Sequence, residues 1–129
     1  MLWSSDEETR KTKEERRRKQ EEGSKKELSV RRWNPAVDGP LSEAALRAKL
    51  ESLGYHVARY VYEPGTVFPD HTHGVDKVDA VVSGRFRLVI GGHLAVLGPG
   101  DWVAVPRGAV HSAAVMGDEP VVSLDAVKR

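Results

Sequence analysis

The sequence predicts an all-β sandwich or barrel, preceded by a short helix and a charged N-terminal segment. After Gly54, short runs of aromatic and β-branched residues alternate with polar residues, as strands with one buried face require. Glycine and proline separate these runs at intervals of about ten residues. No helical crossovers intervene, which argues against a parallel α/β sheet. We expect about six to eight short strands. The runs that predict them cover residues 55–62, 78–83, 85–90, 94–97, 102–105 and 121–127.

A short amphipathic helix is predicted just before the first strand. Ser42 precedes it at a position where a hydroxyl can cap the free N–H groups of the first turn. Leu46, Leu50 and Leu53 follow at i, i+4 and i+7, so they share one apolar stripe. Gly54 comes next as a stop signal. The helix is therefore expected over residues 43–53.

The N-terminal segment is highly charged. Residues 1–32 hold 11 of the 20 Lys and Arg residues and 8 of the 19 Asp and Glu residues, so they carry +3 and the other 97 residues carry −2. Residues 6–27 include no large apolar side chain that could dock a helix on a core. We therefore predict a disordered tail or solvated helix over residues 1–29. A linker with the helix follows over 30–54, and the β-barrel occupies 55–129.

The amino-acid composition excludes several classes of function. No cysteine is present, which excludes disulfides, thiolate metal sites and a cysteine nucleophile. The basic stretch 16–19 could contact nucleic acid, but the surrounding glutamates offset its charge and residues 6–27 offer no aromatic side chain for base stacking. A solvated tail is the preferred interpretation. The chain has neither an apolar leader nor an apolar run of about 18 residues, so the sequence predicts a cytoplasmic protein without membrane contact.

Two of the histidines form an HxH pattern that suggests half of a metal site. On a strand, residues i and i+2 point to the same face, so the imidazoles of His71 and His73 can converge on one ion. Neutral imidazole binds zinc, iron, manganese, nickel and copper. The pattern alone is weak, because it is common without a metal. His111 is a third candidate, since the proline–glycine turn before it can direct it inward. His56 and His93 are expected to be structural or exposed.

Two separate stretches resemble the sequence motifs of the cupin superfamily. Residues 65–84 read G-x5-HTH-x3-K-x6-G, and residues 100–111 read GDWVAVPRGAVH. The resemblance spans about residues 55–127 and leaves out the charged tail. It implies a jelly-roll barrel, the double-stranded β-helix of cupins, with a site in its mouth. Carried over by position, it implies that His71, His73 and His111 are metal ligands.

The chain departs from the family motifs at two positions. Lys77 stands where the first motif has a glutamate, which in many cupins is a fourth ligand, and Val115 stands where the second motif ends in asparagine. An ammonium has no lone pair to give to a metal, and its charge repels a cation. Lys77 therefore needs an explanation of its own.

Three interpretations of Lys77 stay open. In the first, the site has three histidines and open positions, as in the iron-dependent thiol dioxygenases of the family, and its net charge favours an anionic ligand that Lys77 helps to hold. In the second, Asp76 or Asp79 replaces the missing carboxylate. Asp79 shares the inward face with Lys77, and the two could instead neutralise each other. In the third, metal binding is weak or lost and the barrel binds a small molecule. Lys77 and Asp79 are the catalytic candidates.

Aromatic residues provide further candidates around the site. Tyr62, Phe68 and Trp102 can line the mouth of the barrel, although core packing explains them equally well. Trp33, in a polar stretch before the helix, predicts that this segment packs against the domain.

The resemblance implies a metal-binding single-domain cupin that binds or acts on a small molecule, with an anion favoured by the charge of a three-histidine site. Its cofactor would be a divalent transition metal, Fe, Zn, Mn or Ni, which geometry and availability select. If the protein is an enzyme, we expect metal-dependent chemistry of a dioxygenase-like or isomerase-like kind. The alternative is a non-enzymatic small-ligand binding or sensor cupin with weak or no metal. A homodimer is also expected, because association would cover unpaired sheet edges.

Overall fold

The computed structural model describes residues 28–128. The predicted tail up to residue 27, with its basic stretch 16–19, lies outside the described residues. Within the described range, no helix is long and apolar enough to cross a membrane. The helices are α1 (Pro35–Asp38) and α2 (Glu43–Ser52). The strands are β1 (Val30–Arg32), β2 (Tyr55–Tyr62), β3 (Val67–His71), β4 (Lys77–Ser83), β5 (Arg85–Ile90), β6 (His93–Leu97), β7 (Asp101–Val105), β8 (His111–Met116) and β9 (Val121–Lys128).

The strands form two antiparallel sheets, which confirms the predicted all-β sandwich. The five-stranded sheet has the order β1-β7-β4-β9-β2, and the four-stranded sheet has the order β3-β8-β5-β6. Inward-facing apolar side chains of the two sheets pack together as the main core. The buried members of this core are Val81, Phe86, Leu88, Ile90, Ala95, Leu97, Val103, Val105, Ala113 and Val121.

Strands with clear alternation begin and end within about one residue of their predicted bounds, since period two is a direct consequence of one buried face. Three strands, β1, β3 and β8, were not predicted. β3 contains Pro69 and a register shift between Phe68 and His71, which interrupts the alternation. β8 reads HSAAVM, and its small residues give a weak strand signal.

Helix α2 packs on the outer face of the five-stranded sheet. The Ser42 hydroxyl accepts a hydrogen bond from the Ala45 N–H at 3.0 Å, which confirms the predicted N-cap. Leu46 and Leu50 are fully buried in a second cluster that includes Leu124 from β9. The helix thus covers the sheet face opposite the main core.

Leu53 does not join this cluster. Its side chain is 48% exposed, so the prediction of a three-leucine stripe is wrong at this position. The physical reason is that α2 ends at Ser52, Leu53 is the C-cap, and Gly54 with φ of 93° turns the chain into β2.

Two tryptophans pack beside α2 on the same outer face. Trp33 donates its indole N–H to the Gly39 carbonyl at 2.8 Å, and it contacts the second cluster as predicted. Lys49 of α2 places its Nζ 5.7 Å from the Trp33 ring centroid and 5.6 Å from that of Trp102, within cation–π range. Trp102 therefore lies outside the barrel mouth, because its position on β7 points to the helix.

The turn from β4 to β5 needs a glycine at position 84. Gly84 has φ of 83°, a conformation that L side chains rarely adopt. A Cβ atom there would lie 2.4 Å from the Pro120 carbonyl oxygen and 2.9 Å from the Val121 Cα. The main chain before β9 therefore packs directly on this turn.

We expect Gly84→Ala to lower the free energy of unfolding by about 2–5 kcal/mol, because it adds a main-chain clash to backbone strain. Gly117→Ala is the matched control: φ is 77° at Gly117, but nothing lies within 4 Å of the added Cβ. Strain alone should cost about 1–2 kcal/mol there. Urea denaturation of both variants checks this, and equal losses would contradict it.

Candidate metal centre

Three histidines meet between the two sheets. His71 ends β3 and His111 begins β8, and the two are register partners. His73 lies in the loop beyond β3, so the expectation that both HxH histidines share a strand is wrong, yet the loop brings it to the same point. The ring centroids are 4.0 Å apart for His71 and His111, and His73 is 4.8 Å from each. One ligand atom from each residue lies within 4.8 Å of the others. His56 is exposed on β2 and His93 begins β6, away from this group.

A main-chain hydrogen bond ties the two loops of the site together. The Gly108 N–H donates to the His73 carbonyl at 2.9 Å, so the loop after β3 is held against the turn before β8. That turn is closed by a 3.1 Å bond from the Ala109 N–H to the Pro106 carbonyl. As the sequence suggested, the turn directs His111 inward, and its exposure is only 4%.

Carbonyl oxygens orient two of the rings. The His71 Nδ1 lies 2.7 Å from the Pro69 carbonyl oxygen, and the His111 Nδ1 lies 2.9 Å from that of Ala109. A carbonyl can only accept, so each Nδ1 must carry the hydrogen, and each Nε2 keeps its lone pair. Metal-bound histidines in proteins are commonly oriented in this way.

The surroundings of His73 and His111 favour the neutral form of both imidazoles. Burial is the main cause that lowers the pKa of His73, and the nearby charge of Lys77 lowers it further. Burial also lowers the pKa of His111, with His71 and Lys77 acting in the same direction. Three neutral nitrogen donors suit a divalent transition metal, and three-histidine sites leave further positions open. The residues present therefore fit such an ion.

The wall opposite the histidines is charged. Lys77 of β4 places its Nζ 3.2 Å from the Asp125 Oδ2 on β9. The predicted pairing of Lys77 with Asp79 is thus replaced by a pair with Asp125, although Asp79 lies in the same cavity as predicted. The cavity is lined by Tyr62, Phe68, His71, His73, Lys77, Asp79, Phe86, His111, Ala113 and Asp125.

Asp76 and Asp79, the two candidates for a replacement carboxylate, lie in different places. Asp76 is exposed, and its Oδ1 accepts a hydrogen bond from the Arg107 N–H at 2.8 Å. It does not line the cavity, because it belongs to the loop before β4. Asp79 faces Asp125 directly across the β4–β9 pair. The structure therefore brings Asp79, and not Asp76, to the site.

The Asp79 carboxyl group is electrostatically unusual. Burial raises its pKa to about 7, and the negative charge of Asp125 acts in the same direction, against the charge of Lys77. Both carboxyl groups line the cavity. At neutral pH, Asp79 is therefore balanced between its acid and its carboxylate forms.

Asp125 is a cavity residue that is not among the predicted site residues. The signal was present, since β9 alternates and places Asp125 on the same face as Val121, a core residue. A carboxylate inside an apolar strand needs a partner, and Lys77 is 48 residues away in the chain. Only the strand order brings the two together.

Aromatic rings close one side of the cavity. Tyr62 and Phe68, two of the three predicted mouth residues, line it with Phe86. The Tyr62 ring centroid lies 4.9 Å from that of Phe68 and 5.6 Å from that of Phe86. Burial raises the pKa of the Tyr62 phenol, and Asp125 and Asp79 raise it further, so the hydroxyl stays protonated.

Two antiparallel sheets that enclose a group of three histidines define a class of small β-barrel proteins, and the comparison with known families identifies which one. Residues 58–127 match the family model described as Cupin domain. The match covers more than half of the chain, so this chain belongs to the cupin family. No curated protein matches the chain in a sequence comparison.

Solved cupin structures resemble the chain over its barrel. KdgF from Halomonas sp. is 25% identical with a TM-score of 0.52, and the match covers 59% of this chain and 70% of KdgF. The DMSP lyase DddQ from Ruegeria pomeroyi is 29% identical with a TM-score of 0.50, over 57% of this chain and 38% of DddQ. An oxalate decarboxylase variant from Bacillus subtilis is 28% identical with a TM-score of 0.50, over 58% and 22%. The chain thus spans only part of both enzymes.

The Asp79 carboxyl group should make the stability of the metal-free protein depend on pH. The folded protein holds this proton up to about pH 7, whereas the unfolded chain loses it near about pH 4. The free energy of unfolding is therefore expected to fall as the pH rises through this window. In Asp79→Asn this decrease in the free energy of unfolding should be absent. The variant should therefore be about 2–4 kcal/mol more stable than wild type at about pH 8.

Urea denaturation with a chelator at several pH values between about 4 and 8 measures this difference. The gap between Asp79→Asn and wild type should narrow as the pH is lowered. Asp118→Asn, at an exposed position, is the matched control. A gap that is constant with pH, or that widens toward low pH, would show that Asp79 is not the group responsible.

Proposed function

We propose that the protein is a metal-binding single-domain cupin that binds or acts on a small anionic molecule. One observation carries the proposal: His71, His73 and His111 converge in a cavity, and two of the three have their Nδ1 held by carbonyls and their Nε2 free. These three residues would hold a divalent Fe, Zn, Mn or Ni ion. When bound, the ion would polarise a ligand at its open positions, in dioxygenase-like or isomerase-like chemistry if the protein is an enzyme.

Charge favours an anion. Three neutral imidazoles would leave the charge of a divalent ion uncompensated, whereas the glutamate of other cupins would offset part of it. Lys77 has three N–H donors and uses one on Asp125, so the others can reach a ligand. The similarity to an oxalate decarboxylase, an enzyme of a small dicarboxylate, is consistent with this substrate class.

Metal content tests the proposal. Purified wild type is expected to hold about one metal ion per chain, and His71→Ala and His111→Ala should each reduce affinity by at least about tenfold. His56→Ala, an exposed histidine on β2, is the matched control and should keep the metal. Elemental analysis after equal dialysis measures the content. Equal, sub-stoichiometric metal in all four proteins would favour the second candidate, a ligand-binding or sensor cupin without a functional metal.

We also propose a homodimer, as the sequence predicted. In the described residues β2 pairs only with β9, so the other edge of this eight-residue strand has no neighbour. Tyr60 and Val61 on it are 48% and 45% exposed. Such an edge invites pairing with a second copy. The cytoplasmic location stays a prediction of the sequence.

Light scattering after size-exclusion chromatography checks the dimer, which should have twice the 14.2 kDa mass of the chain. Val61→Lys should shift the protein toward monomer, because a charge on an edge strand opposes pairing. Val37→Lys, at a position that is 77% exposed in α1, is the control. A monomeric wild type at all concentrations would contradict the dimer.

A further inference from the structure

The carboxyl groups of Asp79 and Asp125 form a pair inside the cavity. The two residues are direct register partners on the inner faces of β4 and β9. Two like charges placed opposite each other on neighbouring strands are destabilising. Both carboxyl groups also line the same cavity. The repulsion between them is relieved when one of the two carries a proton.

The other contacts of Asp125 assign that proton to Asp79. Lys77 donates to the Asp125 Oδ2 at 3.2 Å, and Ser123 donates to its Oδ1 at 3.2 Å. A proton on either oxygen of Asp125 would compete with these two donors. Within residues 28–128, no lysine or serine donates a comparable hydrogen bond to Asp79, and burial raises its pKa. The geometry therefore places the proton of the pair on Asp79.

The groups around Asp79 leave it as the exchangeable acid of the cavity. Lys77 precedes it on β4 and is already paired with Asp125. Tyr62 faces the pair from β2, and its raised pKa keeps its proton in place. His73 and His111 lie on the other side of the cavity and are held neutral by burial. On β7, the register partner of Asp79 is the apolar Val103.

We propose that Asp79 is the proton-transferring residue of the site, giving its proton to a ligand at the three-histidine centre or taking one from it. In the forward direction the Asp79 O–H bond breaks, the proton goes to a basic atom of the ligand, and the electron pair stays on the carboxylate. Lys77, on the same face of β4, then offsets two carboxylates rather than one. The reverse step protonates Asp79 from a weakly acidic ligand. The inference rests on the proposed function, because it needs a ligand in this site.

Proton release on ligand binding tests the transfer. The probe is acetohydroxamic acid, a neutral weak acid that binds metals as its anion and so must lose a proton. With the zinc-loaded protein at about pH 8, Asp79 should take up this proton, and little should reach the buffer. Asp79→Asn should release about one proton per bound probe, as measured by calorimetry in two buffers of different ionisation enthalpy. Asp118→Asn should behave as wild type. Equal release from wild type and Asp79→Asn would overturn the proposal.

A second measurement needs no metal and no ligand. Carbon-13 spectra of protein labelled at the aspartate carboxyl carbons follow each titration with pH. One carboxyl resonance should titrate only near neutral pH, because its carboxyl group keeps its proton until then. This resonance should be absent from the spectrum of Asp79→Asn. If the titration shows that the Asp79 carboxyl group ionises far below neutral pH, Asp79 does not hold the proton and the inference fails, whatever the metal content. If instead zinc does not bind to wild type, the proposed function fails, and the proton-transfer role of Asp79 fails with it. The spectra still test whether Asp79 holds a proton near neutral pH.

Discussion

The pairing of β3 with β8 is the interaction on which the candidate site depends. It places His71 and His111 side by side as register partners, and the bond between Gly108 and the His73 carbonyl fixes the third ring beside them. A one-residue slip in this pairing would turn an imidazole away from the cavity. The histidine group therefore depends on strand register. The same pairing holds the loop after β3 against the turn before β8.

The five-stranded sheet supplies the opposite half of the site. Its inner face is apolar in the core but carries Lys77, Asp79 and Asp125 beside the histidines. Burying three ionisable groups is costly unless they satisfy one another; here Lys77 pairs with Asp125, and the raised pKa of Asp79 favours its neutral form. Lys77 is thus buried without leaving an unpaired charge. Under the proposed function, this polar wall would meet a small anion.

Many of the strands and the three histidines of the candidate site could be predicted from the sequence. Strands with one buried face, such as β5, show period two directly, and fixed glycines and histidines revealed the family motifs. β3 escaped prediction because Pro69 and a register shift break its alternation. Asp125 escaped because its partner is distant in sequence and becomes a neighbour only through the order β4-β9. The predicted burial of Leu53 is wrong because apolar spacing does not fix the residue at which a helix ends, and Leu53 is the C-cap.

X-ray absorption spectroscopy at the edge of the bound metal tests the central claim, a three-histidine metal centre, most directly. The proposed centre predicts a first shell of nitrogen and oxygen atoms at about 2.0–2.1 Å for zinc, with multiple scattering from three imidazole rings. In His111→Ala the imidazole contribution should fall to two rings or the metal should be lost. A first shell of oxygen atoms without imidazole scattering would contradict a metal held by His71, His73 and His111.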